Sequence, residues 1–191
     1  MEQVYEKVCH TFPPIYDSHS RVLILGTFPS VKSRENDFYY GHPQNRFWKV
    51  MAGITGSVIP QTKEEKIALL LTHGIAIWDV VQSCRITGSS DSSIKDVAAN
   101  DIAGLLKESR ICRIFGNGEK ACKLYQAHCQ KQSGFPIYRL PSTSPANAAS
   151  SLEKLIREWT VVYQSTECLE EKMEEKVEEQ EGFGKDIQIH G

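Results

Sequence analysis

The amino-acid sequence predicts a three-layer α/β/α sandwich built around a mainly parallel four-stranded sheet. Short apolar runs rich in β-branched residues recur along the chain, and stretches with helical periodicity separate them. Strands that alternate with helices pair in parallel, with helices on both faces of the sheet. With 191 residues, of which 40% are hydrophobic and 24% charged, the chain is long enough to enclose one core.

The predicted strands are nearly continuous apolar runs, which is typical of strands buried on both faces. They are Arg21–Gly26, Ile75–Val81, Ile111–Gly116 and Phe135–Leu140. The predicted helices are Asn45–Ile54, Thr62–His73, Asp101–Ser109, Gly118–Gln132 and Asn147–Gln164. The T-K-E-E sequence at Thr62 indicates a capping box, and Asn100 is a candidate cap for the third helix.

Charge divides the chain into a body and a tail. Residues 1–166 carry 19 Lys and Arg against 15 Asp and Glu, a net charge of +4, whereas residues 167–191 carry 3 against 9, a net charge of −6. We therefore expect one domain over 1–166 and an acidic C-terminal tail over 167–191. The body permits a polyanion as ligand without requiring one, since many ordinary enzymes carry this charge. The tail suits a solvated extension, a docking helix or an acidic cover for a basic groove.

The sequence contains no pattern typical of a membrane protein or of a metal site. No apolar run approaches the roughly 20 residues that cross a bilayer, and the N-terminus lacks the layout of a secretion signal. We therefore expect an intracellular protein without a membrane partner. The six cysteines include no C-x-x-C pair, so we expect no zinc, no iron–sulfur cluster and no other cofactor.

Two loops that follow predicted strands carry most of the residues suited to chemistry. In a parallel sheet the loops at the carboxyl ends of the strands form the functional crevice. Gly26–Trp48 combines aromatic rings, amides, prolines and cations, and Leu140–Ala148 places three hydroxyls between two prolines. Alone, the second loop is better explained as a stiff turn with Ser144 or Asn147 as a helix cap. Together, the rings and amides suit a nucleobase and the hydroxyls suit a phosphate.

The same two loops carry a resemblance to a known family. G-T-F-P-S…Y-Y-G-H-P-Q-N-R-F-W-K-V, which begins at Gly26, and L-P-S-T-S-P-A-N, which begins at Leu140, are similar to the two signature segments of the uracil-DNA glycosylase superfamily. They most resemble its hypoxanthine-DNA (DNA-deoxyinosine) glycosylase branch. The similarity extends from about Phe12 to Trp159 and leaves out the tail. It implies the fold of that superfamily and a monofunctional DNA glycosylase.

One position departs from the family pattern. Phe28 stands where mismatch-specific members of the family have a catalytic asparagine and uracil-specific members have a water-activating aspartate. Asn45 remains, and the resemblance implies that it is the catalytic residue, which orients the attacking water and stabilises the transition state. We expect a base-binding set of Gly26, Thr27, Phe28, Tyr40 and Asn117, and a DNA-binding set of Ser142, Thr143, Ser144, Pro145, Ala146 and Asn147.

The expected roles follow from the chemistry of base removal. A base inside a duplex must be rotated out, at a cost of a few kcal/mol that a mispaired deaminated base lowers. The hydroxyls at 142–144 would hold phosphates, Pro145 and Ala146 would fill the vacated space, and Tyr40 would cover one face of the base. Neutral donors stabilise the charge on the departing base, so no lysine is assigned as a nucleophile. Glu35 and Asp37 stay open as assisting carboxylates or as solvated loop charges.

The expected partner is double-stranded DNA that contains a deaminated base. Hypoxanthine is favoured by the resemblance, and uracil and xanthine stay open because they differ from it by few contacts. We expect a monomer located with the DNA of the cell, which means the nucleus in a eukaryote.

Two alternatives stay open. G-N-G-E-K-A, which begins at Gly116, follows a strand and opens a helix, as does the fingerprint of a dinucleotide-binding enzyme. Against it, the strand is not the first of the sheet, and no acidic residue lies near position 138, where the ribose partner belongs. The other alternative is a nucleic-acid-binding module that kept the groove and lost hydrolysis when position 28 became Phe.

Overall fold

The structure is a computed structural model that describes residues 5–87 and 93–166, so the acidic tail at 167–191 lies outside the described residues. In chain order the strands are β1 (Glu6–Cys9), β2 (Val22–Gly26), β3 (Ile75–Asp79), β4 (Val81–Ile86), β5 (Lys95–Ala99), β6 (Arg113–Asn117) and β7 (Ile137–Leu140). The helices are α1 (Val31–Asn36), α2 (Phe47–Thr55), α3 (Lys63–Thr72), α4 (Ile102–Lys107), α5 (Glu119–His128), α6 (Gln130–Ser133) and α7 (152–166). None of these helices is long and apolar enough to cross a membrane.

The main sheet contains four parallel strands in the order β3-β2-β6-β7, which confirms the predicted sheet. Every residue of β2 is buried, and alternate side chains of the strand face opposite layers. Val22 and Ile24 pack in a core with α2, α3 and α7, whereas Leu23 and Leu25 pack in a core with α4 and α5. The chain therefore has the predicted three-layer α/β/α architecture.

A second sheet, which is absent from the predicted elements, is antiparallel with the order β1-β4-β5. Its outer strands are mostly exposed, so neither shows the continuous apolar run of a strand buried on both faces. Val80 alone separates β3 from β4, and the predicted strand Ile75–Val81 therefore ends at Asp79. The N–H of Val80 donates to Gly26 O, and its carbonyl accepts from Asn100 N, which fixes this junction beside the end of β2.

Helix ends differ from the predictions where a local hydrogen bond selects another boundary. The capping box at Thr62 is confirmed. Asp101 rather than Asn100 caps α4, because the Asp101 carboxylate accepts a hydrogen bond from the backbone N–H of Gly104. The predicted helix Gly118–Gln132 divides into α5 and α6.

Candidate active site

A cavity of about 590 Å³, called here the main cavity, opens at the carboxyl ends of β2, β3 and β6. Its volume is that of a typical small-molecule site, and its place in the sheet is the expected one. Both predicted loops contribute to its walls. The predicted site residues that line it are Gly26, Thr27, Phe28, Tyr40, Asn45, Asn117, Ser142, Ser144, Pro145 and Ala146. Of the predicted set, Thr143 and Asn147 lie outside the lining.

Asn45 is fixed by hydrogen bonds from both loops. Thr143 Oγ1 donates to Asn45 Oδ1 over 2.9 Å, and the backbone N–H of Phe47 donates to the same oxygen over 3.0 Å. Two donors on one carbonyl oxygen fix the orientation of the amide, since that oxygen has two acceptor lone pairs. Asn45 Nδ2 donates to no described residue, so the side chain presents a hydrogen-bond donor to the main cavity.

Asn117 holds Thr143 by a pair of hydrogen bonds. Its Nδ2 donates to Thr143 Oγ1, and its Oδ1 accepts from Thr143 N, both over 2.9 Å. Thr143 is fully buried, and its hydroxyl and its backbone N–H are both used within the protein. The structure therefore places Thr143 as the link between Asn45 and Asn117, behind the surface that a phosphate can reach.

Arg46 ties the second loop to the first. Its guanidinium donates to the backbone carbonyls of Ser144, Asn147 and Ser150, over 2.7 Å to Ser144 and 2.9 Å to Asn147. The backbone N–H of Arg46 donates to Thr143 O over 3.1 Å. Neither Ser144 nor Asn147 is a helix cap, because α7 begins only at 152 and the loop turns around the guanidinium first. Arg46 thus fixes the path of the loop together with Asn117, which holds Thr143.

The inner wall of the main cavity, formed by Gly26, Tyr40 and Asp79, contains a carboxylate that lies outside the predicted site. Asp79 ends β3, and its Oδ2 lies 2.8 Å from His10 Nε2. Both side chains are buried, with 6% of Asp79 and 2% of His10 exposed. A Cβ on Gly26 would lie 2.1 Å from Asp79 Oδ1, so only glycine leaves room for this oxygen beside the end of β2.

The sequence signal for Asp79 is an acidic residue at the carboxyl end of a buried strand, at the edge of the sheet where sites form. His10 has no such signal. It lies next to the end of β1, and the pairing of β1 with β4 brings it to Asp79 across 69 sequence positions.

Tyr40 completes the inner wall with a buried hydroxyl. No described residue lies in hydrogen-bonding geometry to this hydroxyl. The hydroxyl lies beside the end of β2, because a Cβ added to Gly26 would be 3.3 Å from it. Burial, followed by the negative charge of Asp79, raises the pKa of Tyr40, and the nearby Asn117 amide acts in the opposite direction. The phenol is therefore neutral and able to donate. Its ring stacks on the Phe47 ring at 3.8 Å, so protein covers one face.

The rim of the main cavity is formed by the second loop. Pro145 and Ala146 are exposed there. Ser142 Oγ accepts from Ser144 N, and Ser144 Oγ accepts from Ala146 N, so each hydroxyl keeps its own hydrogen for a ligand. Asn147 Nδ2 donates to Ser142 O over 2.9 Å and stabilises the turn from outside the lining.

The first loop contains α1, a short helix that is absent from the predicted elements. Glu35 lies in this helix and Asp37 follows its last residue, and the sequence left the role of both carboxylates open. Glu35 pairs with Lys32 over 2.7 Å on the surface, and Asp37 accepts a hydrogen bond from Thr11 Oγ1. Neither carboxylate lines the main cavity.

The glycine-rich segment that starts at Gly116 is closed to a dinucleotide. The backbone N–H of Gly118 donates to Gly116 O and to Leu140 O, both over 3.0 Å, so the group that would bind a pyrophosphate is already used. Among residues 5–87 and 93–166, no cluster of three His, Cys, Asp or Glu side chains is arranged to hold a metal ion.

The fold and the site define an α/β domain with a pocket of rings, amides and hydroxyls at the carboxyl edge of its parallel sheet, an arrangement that suits a nucleobase. Residues 13–162 match the profile of the Uracil DNA glycosylase superfamily. The chain belongs to this family.

Relatives and a solved structure agree with this assignment. A protein named Hypoxanthine DNA glycosylase from Methanosarcina acetivorans is 36% identical over 155 residues, which cover 80% of this chain and 96% of that protein. A protein of the same name from Methanosarcina barkeri is 31% identical over 142 residues, which cover 73% and 88%. A solution NMR structure described as a candidate uracil DNA glycosylase from Methanosarcina acetivorans has a TM-score of 0.70 at 34% identity, and the match covers 82% of this chain and 96% of that chain.

Proposed function

We propose that this protein is a monofunctional DNA glycosylase that rotates a deaminated base out of double-stranded DNA and hydrolyses its N-glycosidic bond, leaving an abasic site. The inner wall carries the proposal, because a buried acceptor, Asp79, lies near a buried donor, Tyr40, whose hydroxyl has no partner among the described residues. Hypoxanthine is the proposed substrate, since both relatives carry the name Hypoxanthine DNA glycosylase. The protein acts as a monomer, inside the cell, on the cell's own DNA.

Deamination changes the hydrogen-bonding edge of a base in a defined way. Adenine presents an amino donor beside a ring-nitrogen acceptor, whereas hypoxanthine presents an oxygen acceptor beside a ring N–H donor. Asp79 Oδ1 can accept from that N–H while the Tyr40 hydroxyl donates to the oxygen. Adenine in the same position would face Asp79 with an acceptor and leave buried polar groups unpaired, and this mismatch gives strong discrimination.

Uracil and xanthine also present an oxygen beside an N–H, so the inner wall suits deaminated bases as a class. Guanine has this edge too. Its pairing with cytosine holds guanine in the duplex, whereas a mispaired base costs less to rotate out. Selection thus has two stages, the first in the duplex and the second in the main cavity.

Asn45 supplies the charge stabilisation in the proposed mechanism. Cleavage develops positive charge on the sugar and negative charge on the departing base, and a preorganised neutral donor stabilises the latter. Because Thr143 and Phe47 occupy Asn45 Oδ1, the Nδ2 group is the part left to act. This geometry favours donation to the departing base over orientation of water through the carbonyl oxygen. Loss of such a donor costs about 3–4 kcal/mol in the barrier.

The second loop holds the DNA around the extruded nucleotide. The Ser142 and Ser144 hydroxyls donate to flanking phosphates, and the exposed Pro145 and Ala146 fill the space that the base leaves. Thr143 and Asn147 support the loop from behind instead of contacting DNA.

Duplexes with one hypoxanthine, uracil or xanthine, together with an undamaged duplex, test the proposal. After incubation in EDTA, alkali converts each abasic site into a strand break that a gel measures. We expect hypoxanthine to be released, adenine to be retained, and Asn45→Ala to lower the single-turnover rate about 100- to 1000-fold. Binding of DNA without release of the base identifies a non-catalytic module, which is the alternative that Phe28 raises. A full rate of release in Asn45→Ala contradicts the catalytic assignment of Asn45.

A further inference from the structure

A second cavity, of about 670 Å³ and called here the basic groove, lies between the segment 36–43, the start of α2 and residues 59–66. Three lysines line it, namely Lys49, Lys63 and Lys66. The residues that line both the basic groove and the main cavity are Tyr39, Tyr40, His42 and Asn45. The two cavities are therefore neighbours that share the segment 39–45 as a wall.

The charge of the basic groove is not balanced. No Asp or Glu belongs to its lining, and none of its three lysines forms an ion pair with a described carboxylate. Lys32, Lys123 and Lys154 do form such pairs elsewhere on the described surface. The groove thus concentrates cations without counter-charges in a protein whose overall net charge is −2.

Aromatic rings hold two of these lysines in place. Lys63 Nζ lies 5.7 Å and Lys66 Nζ lies 5.8 Å from the centre of the Phe38 ring, and Lys66 Nζ also lies 5.4 Å from the Trp48 ring. Such contacts orient an ammonium group without neutralising it. Burial, followed by the charge of Lys63, lowers the pKa of Lys66, so the two cations oppose each other. An anion between them removes that repulsion.

We propose that the basic groove binds phosphates of the DNA strand that carries the extruded base, on the side of that base away from the second loop. The proposal rests on the proposed function, because DNA reaches the groove as the ligand of the main cavity. His42 and Asn45 line both cavities, so a strand whose base enters the main cavity beside them can continue along the basic groove, which brings the next nucleotides to the lysines. The second loop lines only the main cavity, so the two contacts grip the strand on opposite sides.

A strand of DNA fits this arrangement better than a single small anion. Its phosphates repeat along the backbone and can meet several lysines in turn, and the exposed part of the Phe38 ring can contact a sugar or base. Each phosphate that a lysine neutralises adds about 0.9 to the slope of log affinity against log salt for duplex DNA. The groove therefore has a measurable signature that does not depend on catalysis.

The test compares two double variants of the full chain. K63Q/K66Q removes two cations from the groove, and K107Q/K131Q removes two exposed lysines outside both cavities, so the change in charge is the same. Fluorescence anisotropy measures the affinity for a labelled duplex with one 2′-fluoro-deoxyinosine, whose N-glycosidic bond resists hydrolysis, between 50 and 200 mM salt (roughly the range over which phosphate contacts change affinity most visibly). We expect the slope to fall by about 1 to 2 in the groove variant and to stay unchanged in the control.

Single-turnover base release at saturating DNA separates this proposal from the proposed function. The control variant keeps the wild-type rate, since Lys107 and Lys131 line neither cavity, and K63R/K66R recovers the salt slope of wild type. Equal slopes in the two double variants overturn the groove as a DNA site, even if wild type releases the base. A slope that falls only in the groove variant, with no base release by wild type, supports the groove and contradicts the proposed function. A circular-dichroism melt confirms that each variant is folded.

Discussion

At the scale of single residues, Tyr40 is held in an unfavourable state by its surroundings. Its φ of 51° lies in the left-handed region, which is uncommon for a bulky side chain, and its buried hydroxyl has no hydrogen-bond partner in residues 5–87 and 93–166. Each of these features costs on the order of 1–3 kcal/mol. Costs of this kind persist where a ligand needs the group in place. We therefore interpret the Tyr40 hydroxyl as a donor reserved for the base.

Tyr40→Phe separates stability from function. Removing this buried hydroxyl leaves the free energy of unfolding unchanged or raises it by about 1 kcal/mol, because no hydrogen bond to a described residue is lost. The rate of hypoxanthine release falls, since the oxygen of the base loses its donor. Urea unfolding and single-turnover release measure the two effects.

The matched control for Tyr40→Phe is Tyr125→Phe. The Tyr125 hydroxyl is bonded to Ser133 Oγ and donates to Phe135 O, away from the main cavity. Its removal lowers the free energy of unfolding by about 1 kcal/mol and leaves base release unchanged. The same pattern in both variants would contradict the role given to Tyr40.

At the scale of elements, the end of β2 requires a residue without a side chain, Gly26. Gly26→Ala places a Cβ 2.1 Å from Asp79 Oδ1, so the carboxylate must move. We expect the free energy of unfolding to fall by about 1–3 kcal/mol and base release to fall with it. The control is Gly116→Ala on the neighbouring strand, where the Cβ would meet Cys122 Sγ at 2.4 Å. This control loses stability but keeps its rate per folded molecule.

The connection between the two loops depends on the forked shape of Arg46. Lysine keeps the charge but cannot donate to several carbonyls in one plane, so Arg46→Lys loosens the loop. Hydrogen exchange of the amides at 143–150 becomes faster, and misplacement of the loop lowers base release about 100-fold. Arg113→Lys, which changes a guanidinium that donates to Ser165 Oγ and lies outside the main cavity, leaves both measurements unchanged.

The main sheet could be predicted because each of its strands carries its own apolar run. β1 and β5 could not, since their exposed strands depend on partners far away in the chain, as in the pairing of Glu6 with Ile86. The site shows the same division. That Asn45 lies beside the second loop follows from where parallel strands end, whereas the His10–Asp79 contact follows from the second sheet. The contacts of Arg46 with four backbone carbonyls have no sequence signal, because carbonyls belong to every residue.

At the scale of the whole molecule, the buried phenols beside Asp79 link stability to alkaline pH. Burial is the largest cause that raises the pKa of Tyr39 and of Tyr40, and the charge of Asp79 is the second. Below pH 10 the phenols are protonated in the folded and the unfolded chain alike. Above about pH 10 the unfolded chain loses these protons and the folded chain keeps them, so stability falls as pH rises.

Urea unfolding between pH 8 and 11 (roughly from below to above the ordinary tyrosine pKa) checks this effect. The limiting slope is about 1.4 kcal/mol per pH unit for each buried phenol. Tyr39→Phe/Tyr40→Phe flattens the decline above pH 10. Tyr138→Phe, which changes an exposed tyrosine, leaves it as in wild type. An unchanged decline in the double variant would assign the alkaline loss to other groups.

The two hydrogen bonds on Asn45 Oδ1 have a consequence for the lifetime of the enzyme. Side-chain amides slowly release ammonia to water, and Asn45→Asp reproduces the product of that ageing. The new carboxylate would still accept hydrogen bonds from Thr143 Oγ1 and from the backbone N–H of Phe47, so the fold around it would stay intact. Asn45 Nδ2, the donor in the proposed mechanism, would be lost. An enzyme proposed to act on deaminated bases would then be inactivated by deamidation of its own side chain, while its fold stays intact.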